Sequence, residues 1–554
     1  MKSDIREIEQ PWADAIAHEV QDKSIPSISY ALLDREGILI SGHATREDLN
    51  HPVVDESVFR VGSCSKMFTG IALMQFVEQG RVDLDEEVSE YIPGFAPHNP
   101  FTGADSSPSA GKVTLRKLMS HTSGLVREPS IGHYLDDSAV SMQALVEELK
   151  TSTLKEDPDG GVFQYSNAGI SVVGYLVEQL AGTDFVRHIE RAVLGPLGMH
   201  DSSFVLAEPM RDRLCPAFMW TFDEDIPAPL FDMGGGGAAG NLFSTIPDMA
   251  RFVRAMLRGG VAESEESILS TGALHSMWEP IGRRGKAAYG LTFAVGELDG
   301  WRSVGHGGAV YGYATQLAFL PEADLGVVLC STLDVTNGII GWLGQYGLRL
   351  ALAARGKGRK PDTPPAYLPL SEARQNALAG HFVDESSGEW VRVVSKSGRL
   401  FLLVDDLPLR LQARSETEFA VDGRAFGPGG EYPHLHVEFV SSEEGTPPGT
   451  LRWRDTVWKR VTDVEPEVVP DEYASFLGEY GPDFSITHIF YSGGKLKCTI
   501  EYFYTHTLER ISERSFKMHG LLYDDETLEF DAHDEKGRTG IRVGPMFLVR
   551  RSGS

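Results

Sequence analysis

Residues 28–43, ISYALLDREGILISGH, set two β-rich runs around the polar turn Asp34-Arg35-Glu36-Gly37, which predicts a hairpin. In the run that follows Phe59, apolar positions Met67, Ile71, Met74 and Val77 recur at helical spacing until Gly80 stops them. Gly169–Leu180 reads as a second helix, ended by Gly182. Thr245–Leu257 reads as a third, with Pro247 and Asp248 in its first turn. Tyr313–Leu320 and Gly326–Ser331 are again β-rich, joined by Pro321-Glu322-Ala323-Asp324. Hairpins at both ends of this stretch predict one antiparallel sheet with helices between them, an α+β arrangement.

The pattern changes at Ala354–Pro365, ARGKGRKPDTPP, which is basic and then proline-rich, as linkers are. Beyond it the helical period fades, and 378–460 and 477–551 are short β-type runs broken by Gly, Asp, Ser and Pro. Each opens with a glycine two positions before an aromatic, Gly380-His381-Phe382 and Gly478-Glu479-Tyr480. Each closes on an apolar residue before basic ones, Trp458-Lys459-Arg460 and Leu548-Val549-Arg550. A repeated β-domain and a chance likeness of two β segments both fit this pattern. The expected organisation is a catalytic domain over 1–353, a linker over 354–365, a β-domain over 366–462, a linker over 463–471 and a second β-domain over 472–554.

Composition narrows the function. A chain of 554 residues exceeds one hydrophobic core. With 79 acidic against 51 basic residues the net charge is −28, which repels nucleic-acid phosphates and anionic lipid. No apolar run is long enough for a membrane span. The N-terminal residues MKSDIREIEQPW lack the apolar core of a secretory signal, so a cytoplasmic location is expected. Cys64, Cys215, Cys330 and Cys498 are scattered, which predicts reduced core thiols rather than a metal site or a disulfide framework. No metal and no organic cofactor is expected.

Three short motifs carry chemistry. Ser63-Cys64-Ser65-Lys66 puts a hydroxyl and an amine three positions apart, on one helix face. A serine needs a base near neutral pH, and a lysine with a lowered pKa serves as one. Tyr165-Ser166-Asn167 offers a phenol to shuttle a proton and an amide to orient the lysine and bind a substrate carbonyl. His306-Gly307-Gly308-Ala309 offers a hydrogen bond or positive charge from the imidazole and close backbone approach at the glycines. Its Ala309 N–H, with that of Ser63, is placed to bind an oxyanion. Taken singly, each motif is equally a surface helix, a helix cap or a glycine-rich hairpin.

Their order and framing decide between these readings. FRVGSCSK, VTLRKLMSHTSGL at Val113–Leu125, FQYSNAG at Phe163–Gly169, LGPLGM at Leu194–Met199, NLFSTIPDMARF at Asn241–Phe252 and GHGGAVYG at Gly305–Gly312 follow one another in a single series. Over about residues 15–345 the sequence resembles the penicillin-recognising, β-lactamase-like serine hydrolases. That family includes class C β-lactamases, D-alanyl-D-alanine carboxypeptidases, D-aminopeptidases and related esterases. The resemblance implies a β-lactamase/transpeptidase-like domain, an antiparallel sheet flanked by helices plus a helical region. Two smaller all-β, barrel- or lipocalin-like domains follow it, a layout similar to that of D-aminopeptidases.

By the same resemblance Ser63 is the acylated nucleophile and Lys66 and Tyr165 share general acid–base work. Asn167 positions substrate and Lys66, and His306 stands where many members carry lysine. The implied activity is hydrolysis of a small amide, short peptide or ester, with D-residue selectivity. Esterase, β-lactamase and an acylating sensor without turnover are the alternatives. Tyr502, Phe503, Tyr504 and His506 are candidates for a hairpin tip reaching towards the cleft, or else plain core strand. Cys64 and His121 are expected to be structural. The expected partners are a small-molecule or short-peptide substrate, no nucleic acid and no membrane, with a homo-oligomer left open.

Overall fold

The computed structural model describes all residues except 1–4, 50–52, 102–111, 221–224, 286, 364–366, 406, 422–435, 442–445, 454, 463–466, 502–503, 521 and 552–554. The chain divides into two units, one of Met1–Trp220 with Ile226–Asp362 and one of Thr363–Ser554 with Thr221–Asp225.

An eight-stranded antiparallel sheet forms the frame of the first unit. Its order is Ile38–Thr45, Ser27–Leu33, Leu325–Ser331, Tyr313–Leu320, Trp301–Val310, Ala294–Leu298, Ala287–Tyr289 and Gly282–Arg284. The hairpins predicted at the two ends of the sequence stretch meet where its second and third strands pair, Tyr30 with Leu329 and Ala31 with Val328. Central strands are buried on both faces, which is why SISYALL is nearly continuous in apolar residues. Alternate side chains enter different cores. Tyr30, Leu32, Val327 and Leu329 pack with Trp12 of the Glu9–Asp22 helix and Ile339 and Leu343 of the Asn337–Ala354 helix. Ala31, Leu33, Val328 and Cys330 face the other way, with Phe68 and Phe252 of the helices Ser65–Glu78 and Ile246–Leu257.

Local signals set the helix ends. Thr245 accepts from Asp248 N at the start of the third predicted helix, with Pro247 in its first turn. The second predicted helix runs Asn167–Ala181, and its C-cap, Gly182, is left-handed at φ 61°. Among the described residues no helix is long and apolar enough to cross a membrane.

The second unit holds two all-β elements. Eight strands from Gly380–Val383 to Thr456–Val461 close into a barrel. Eight more run in sequence order from Gly478–Tyr480 to Met546–Val549. The bridge between Tyr480 and Arg550, with Gly481 N donating to Val549 O, joins the first and last of these. The two share a closing device. Arg460 donates to the carbonyls of Ala377, Leu378 and Ala379 and lies over the Phe382 ring. Arg550 donates to those of Ser475 and Leu477 and lies over the Tyr480 ring. Thus the glycine–aromatic opening and the basic ending seen twice in the sequence are partners within each sheet.

Candidate active site

The chain turns sharply at Gly62, whose φ is 52°, and a short 3-10 turn, Gly62–Cys64, leads into the Ser65–Glu78 helix. Glycine is required twice over, since a Cβ there would stand 2.8 Å from the backbone nitrogen of Ala309. Ser65 Oγ secures the turn by donating to Gly62 O at 2.6 Å and accepting from Leu242 N at 2.9 Å. Ser63 faces out of the turn, and the first helical turn brings Lys66 beside it.

Lys66 Nζ donates to Ser63 Oγ at 2.9 Å and to Ala239 O at 2.8 Å. The lysine is fully buried. Burial pulls its pKa down to about 7, against the raising effect of the Glu128 carboxylate, while Arg127 lowers it further. The amine is therefore substantially neutral near pH 7. Tyr165 OH donates to the same Ser63 Oγ at 2.9 Å. Burial pushes its phenol up to about 12, so it stays protonated as a donor.

Tyr165 is held from behind. Ser166 Oγ caps the following helix by accepting from Gly169 N and donates to Val126 O at 2.6 Å. The His121 ring packs against that of Tyr165, tilted by 37° with centroids 4.3 Å apart, and its Nδ1 accepts from Ser166 N. His121 is fully buried and takes a left-handed φ of 59°. Desolvation, first, and the nearby Lys66 hold it neutral, well below the usual histidine range.

A cleft opens beside Ser63, lined by Asn167, Ala309, Glu128, Tyr134, Leu145 and Met233 among others. Asn167 Nδ2 donates to Glu128 Oε1 at 2.5 Å, and Arg127 Nε stands 3.7 Å from the same oxygen. Lys66 donates its second bond to Ala239 O, a partner that the Asn167 expectation did not include. Glu128, Ala239 and Tyr289 are absent from the sequence motifs. Glu128 directly follows HTSGLVR, but spacing alone could not distinguish it from a solvated carboxylate.

His306 lies on the Trp301–Val310 strand, 7% exposed. Its Nε2 is 2.7 Å from Tyr289 OH and its Nδ1 is 2.5 Å from Gly307 O. Both ring nitrogens are thus engaged inside the protein. Desolvation, then Lys66, push its pKa down to about 3. The positive charge expected of this residue is withheld, because burial penalises the imidazolium. A Cβ on Gly308 would stand 2.0 Å from Val61 O, so the HGGA segment presses directly on the chain entering the Gly62–Cys64 turn. Cys64 is buried, with Sγ donating to His306 O at 3.3 Å, and burial raises its thiol pKa far above the reactive range.

Of the C-terminal candidates, Tyr502 and Phe503 lie outside the described residues. Tyr504 begins the Tyr504–Arg510 strand. His506 is away from the hairpin tip: it pairs with Cys498 in mid-strand and is fully buried.

Residues 12–339 match the Beta-lactamase family. "Beta-lactamase-like protein 2" of Dictyostelium discoideum is 29% identical over 332 residues, covering 58% of this chain and 58% of that protein. "Penicillin-binding protein 4" of Amycolatopsis lactamdurans is 28% identical over 330 residues, covering 56% of this chain and 84% of its own length. In fold, the chain is similar to the octameric penicillin-binding protein homologue from Pyrococcus abyssi. That likeness has a TM-score of 0.55 at 19% identity and covers 82% of this chain and 99% of the other. With D-amino acid amidase from Ochrobactrum anthropi SV3 the TM-score is 0.51 at 21% identity, over 64% of this chain and all of the other. The family match spans more than half the chain and coincides with the sheet, the helices and the Ser63 cleft, and the protein belongs to the Beta-lactamase family of serine hydrolases.

Proposed function

We propose that the chain is a serine amidase or peptidase that hydrolyses small amides or short peptides through an acyl-enzyme on Ser63. The observation that carries this is one hydroxyl within 2.9 Å of both a depressed-pKa lysine and a protonated tyrosine. Neutral Lys66 takes the Ser63 proton as Oγ attacks the carbonyl. Tyr165 gives its proton to the leaving nitrogen and is resupplied from the Lys66 ammonium, and water then hydrolyses the ester. The N–H groups of Ser63 and Ala309 are assigned to the oxyanion.

The cleft carries the carboxylate of Glu128 among apolar walls, while the imidazole of His306 is neutral. Both features favour an acyl group with a free ammonium over one with a carboxylate, and so an aminopeptidase or amidase over a β-lactamase. D-residue selectivity belongs to the same proposal; the neighbour from Ochrobactrum is a D-amino acid amidase. Esterase activity on activated esters fits the same chemistry. A second copy of the chain is a proposed partner, since the Pyrococcus homologue is octameric.

The test is a panel of D- and L-amino acid p-nitroanilides, p-nitrophenyl esters and nitrocefin, with wild type and Ser63→Ala. Turnover of amino-terminal anilides that disappears in Ser63→Ala is expected. Activity surviving that substitution overturns the mechanism, and nitrocefin as the best substrate overturns the substrate class.

A further inference from the structure

Tyr289 ends the short Ala287–Tyr289 strand and is separated from His306 by another strand. Tyr289 pairs with Ala294, and Ala294 pairs with Gly305. The phenol spans that intervening strand to reach His306 Nε2 at 2.7 Å, the two rings crossing at 89°. The other ring nitrogen, Nδ1, faces Gly307 O at 2.5 Å. A carbonyl oxygen only accepts, so Nδ1 carries the imidazole proton. Nε2 of the neutral ring is then the acceptor, and the Tyr289 hydroxyl donates. These partners assign the tautomer.

The surroundings reinforce the assignment. Tyr289 is buried, which keeps its phenol protonated. The titratable groups around the pair are Lys66, Cys64, Tyr165 and His121, with the His121 ring centroid 4.7 Å from that of Tyr289. His306 is therefore fastened at three points: Nε2 by Tyr289, Nδ1 by Gly307 O, and its own carbonyl by the Cys64 thiol. The imidazole in turn fixes the Gly307 carbonyl and the peptide plane leading into Gly308. One residue further, Ala309 abuts Gly62 and lines the cleft with Ser63.

We infer that Tyr289 is a positioning residue of the hydrolytic site. It locks His306 in the Nδ1–H tautomer and, through the Gly307 carbonyl, holds the Gly307–Ala309 edge against the nucleophile turn. The catalytic consequence rests on Ser63 acting as the nucleophile, whereas the lock itself does not.

The test is nitrogen-15 NMR of histidine-labelled full-length protein together with kinetics. His306→Asn identifies the His306 signal. Wild type is expected to show a pure Nδ1–H pattern, unchanged between pH 5 and 8. In Tyr289→Phe the signal moves towards an average of the two tautomers. The same variant loses about tenfold in kcat with KM changed by less than about twofold. Asparagine at 306 keeps a donor towards Gly307 O but has no Nε2. In a His306→Asn background Tyr289→Phe is therefore expected to cost less than about twofold. A wild-type Nε2–H or imidazolium signal overturns the lock whether or not Tyr289→Phe folds. An unchanged kcat, or the same tenfold loss in the His306→Asn background, overturns the positioning role. Activity retained by Ser63→Ala sinks the hydrolase reading alone, and the NMR result still decides the lock.

Discussion

Lys66 Nζ stands 2.9 Å from Ser63 Oγ in a site that excludes water from the amine. Desolvation lowers its pKa to about 7, and in the proposed mechanism that sets the pH at which it can take a proton. For substrates that do not ionise between pH 5 and 9, kcat/KM is expected to rise with pH through about 7 and then level. Below that value Lys66 is an ammonium with no lone pair for the Ser63 proton. Loss should begin again only as Tyr165 ionises near 12. A pH–rate profile checks both limbs; an activity that rises as pH falls through 7 contradicts Lys66 as the base. Lys66→Ala should lower kcat by ~10²–10⁴-fold.

Tyr165 is assigned the leaving-group proton, so its loss should depend on the leaving group. A departing amine needs that proton, and a p-nitrophenolate departs without it. Tyr165→Phe is expected to cost ~10²-fold or more in kcat on an amide and under about tenfold on the matching p-nitrophenyl ester. Equal losses on the two substrates would place the tyrosine in a purely structural role.

Glu128 has two expected effects. Its carboxylate lines the cleft, so Glu128→Gln should raise KM for substrates with a free ammonium by ~10-fold or more, the size of a charge-assisted hydrogen bond. N-acylated analogues should change little. The same carboxylate raises the Lys66 pKa, so its neutralisation should move the acid limb of kcat/KM to lower pH. Steady-state kinetics on a matched pair of free and N-acetylated anilides reads both effects. An identical KM change in the two analogues removes the ammonium assignment.

His506 is expected to make the C-terminal β-element acid-sensitive. Burial holds its pKa to about 4 in the folded chain, against an ordinary value of 6.5. An unfolded chain takes up a proton between those values that the folded one refuses. Its stabilising contribution is therefore complete above about pH 6.5 and is lost as pH falls towards 4. Denaturant melts from pH 7.5 to 4.5 should show this decline, and His506→Leu should flatten part of it. A slope unchanged by the substitution assigns the acid sensitivity elsewhere.

Glycine substitution tests how closely the third motif is packed. A Cβ at Gly308 meets the Val61 backbone at 2.0 Å, and a backbone oxygen has no rotamer with which to retreat. Gly308→Ala is expected to displace the nucleophile turn and reduce activity at least ~10²-fold, comparable to a 1 Å misplacement of reacting groups. Gly296→Ala, where nothing lies within 4 Å, should be nearly silent.

Much of this architecture is legible in the sequence alone. The 3.6-residue period at Met67, Ile71 and Met74, the Pro247-Asp248 first turn of the third helix and the two glycine–aromatic openings are local signals, and local sterics execute them. The three motifs were likewise legible, because an i, i+3 spacing on a helix fixes the Ser63–Lys66 relation almost by itself. What needed the fold is whatever arises between distant segments. That Tyr165 meets Ser63 across 102 positions, that Glu128 enters the cleft, and that Tyr289 spans a strand to His306 are consequences of packing. Charge states belong to the same class. In sequence His306 reads as a source of a hydrogen bond or positive charge, and Lys66 as a base only if something lowers its pKa. Desolvation in the tertiary structure keeps the first neutral and lowers the pKa of the second to about 7, because the cost of burying a charge depends on what surrounds it rather than on what precedes it in the chain.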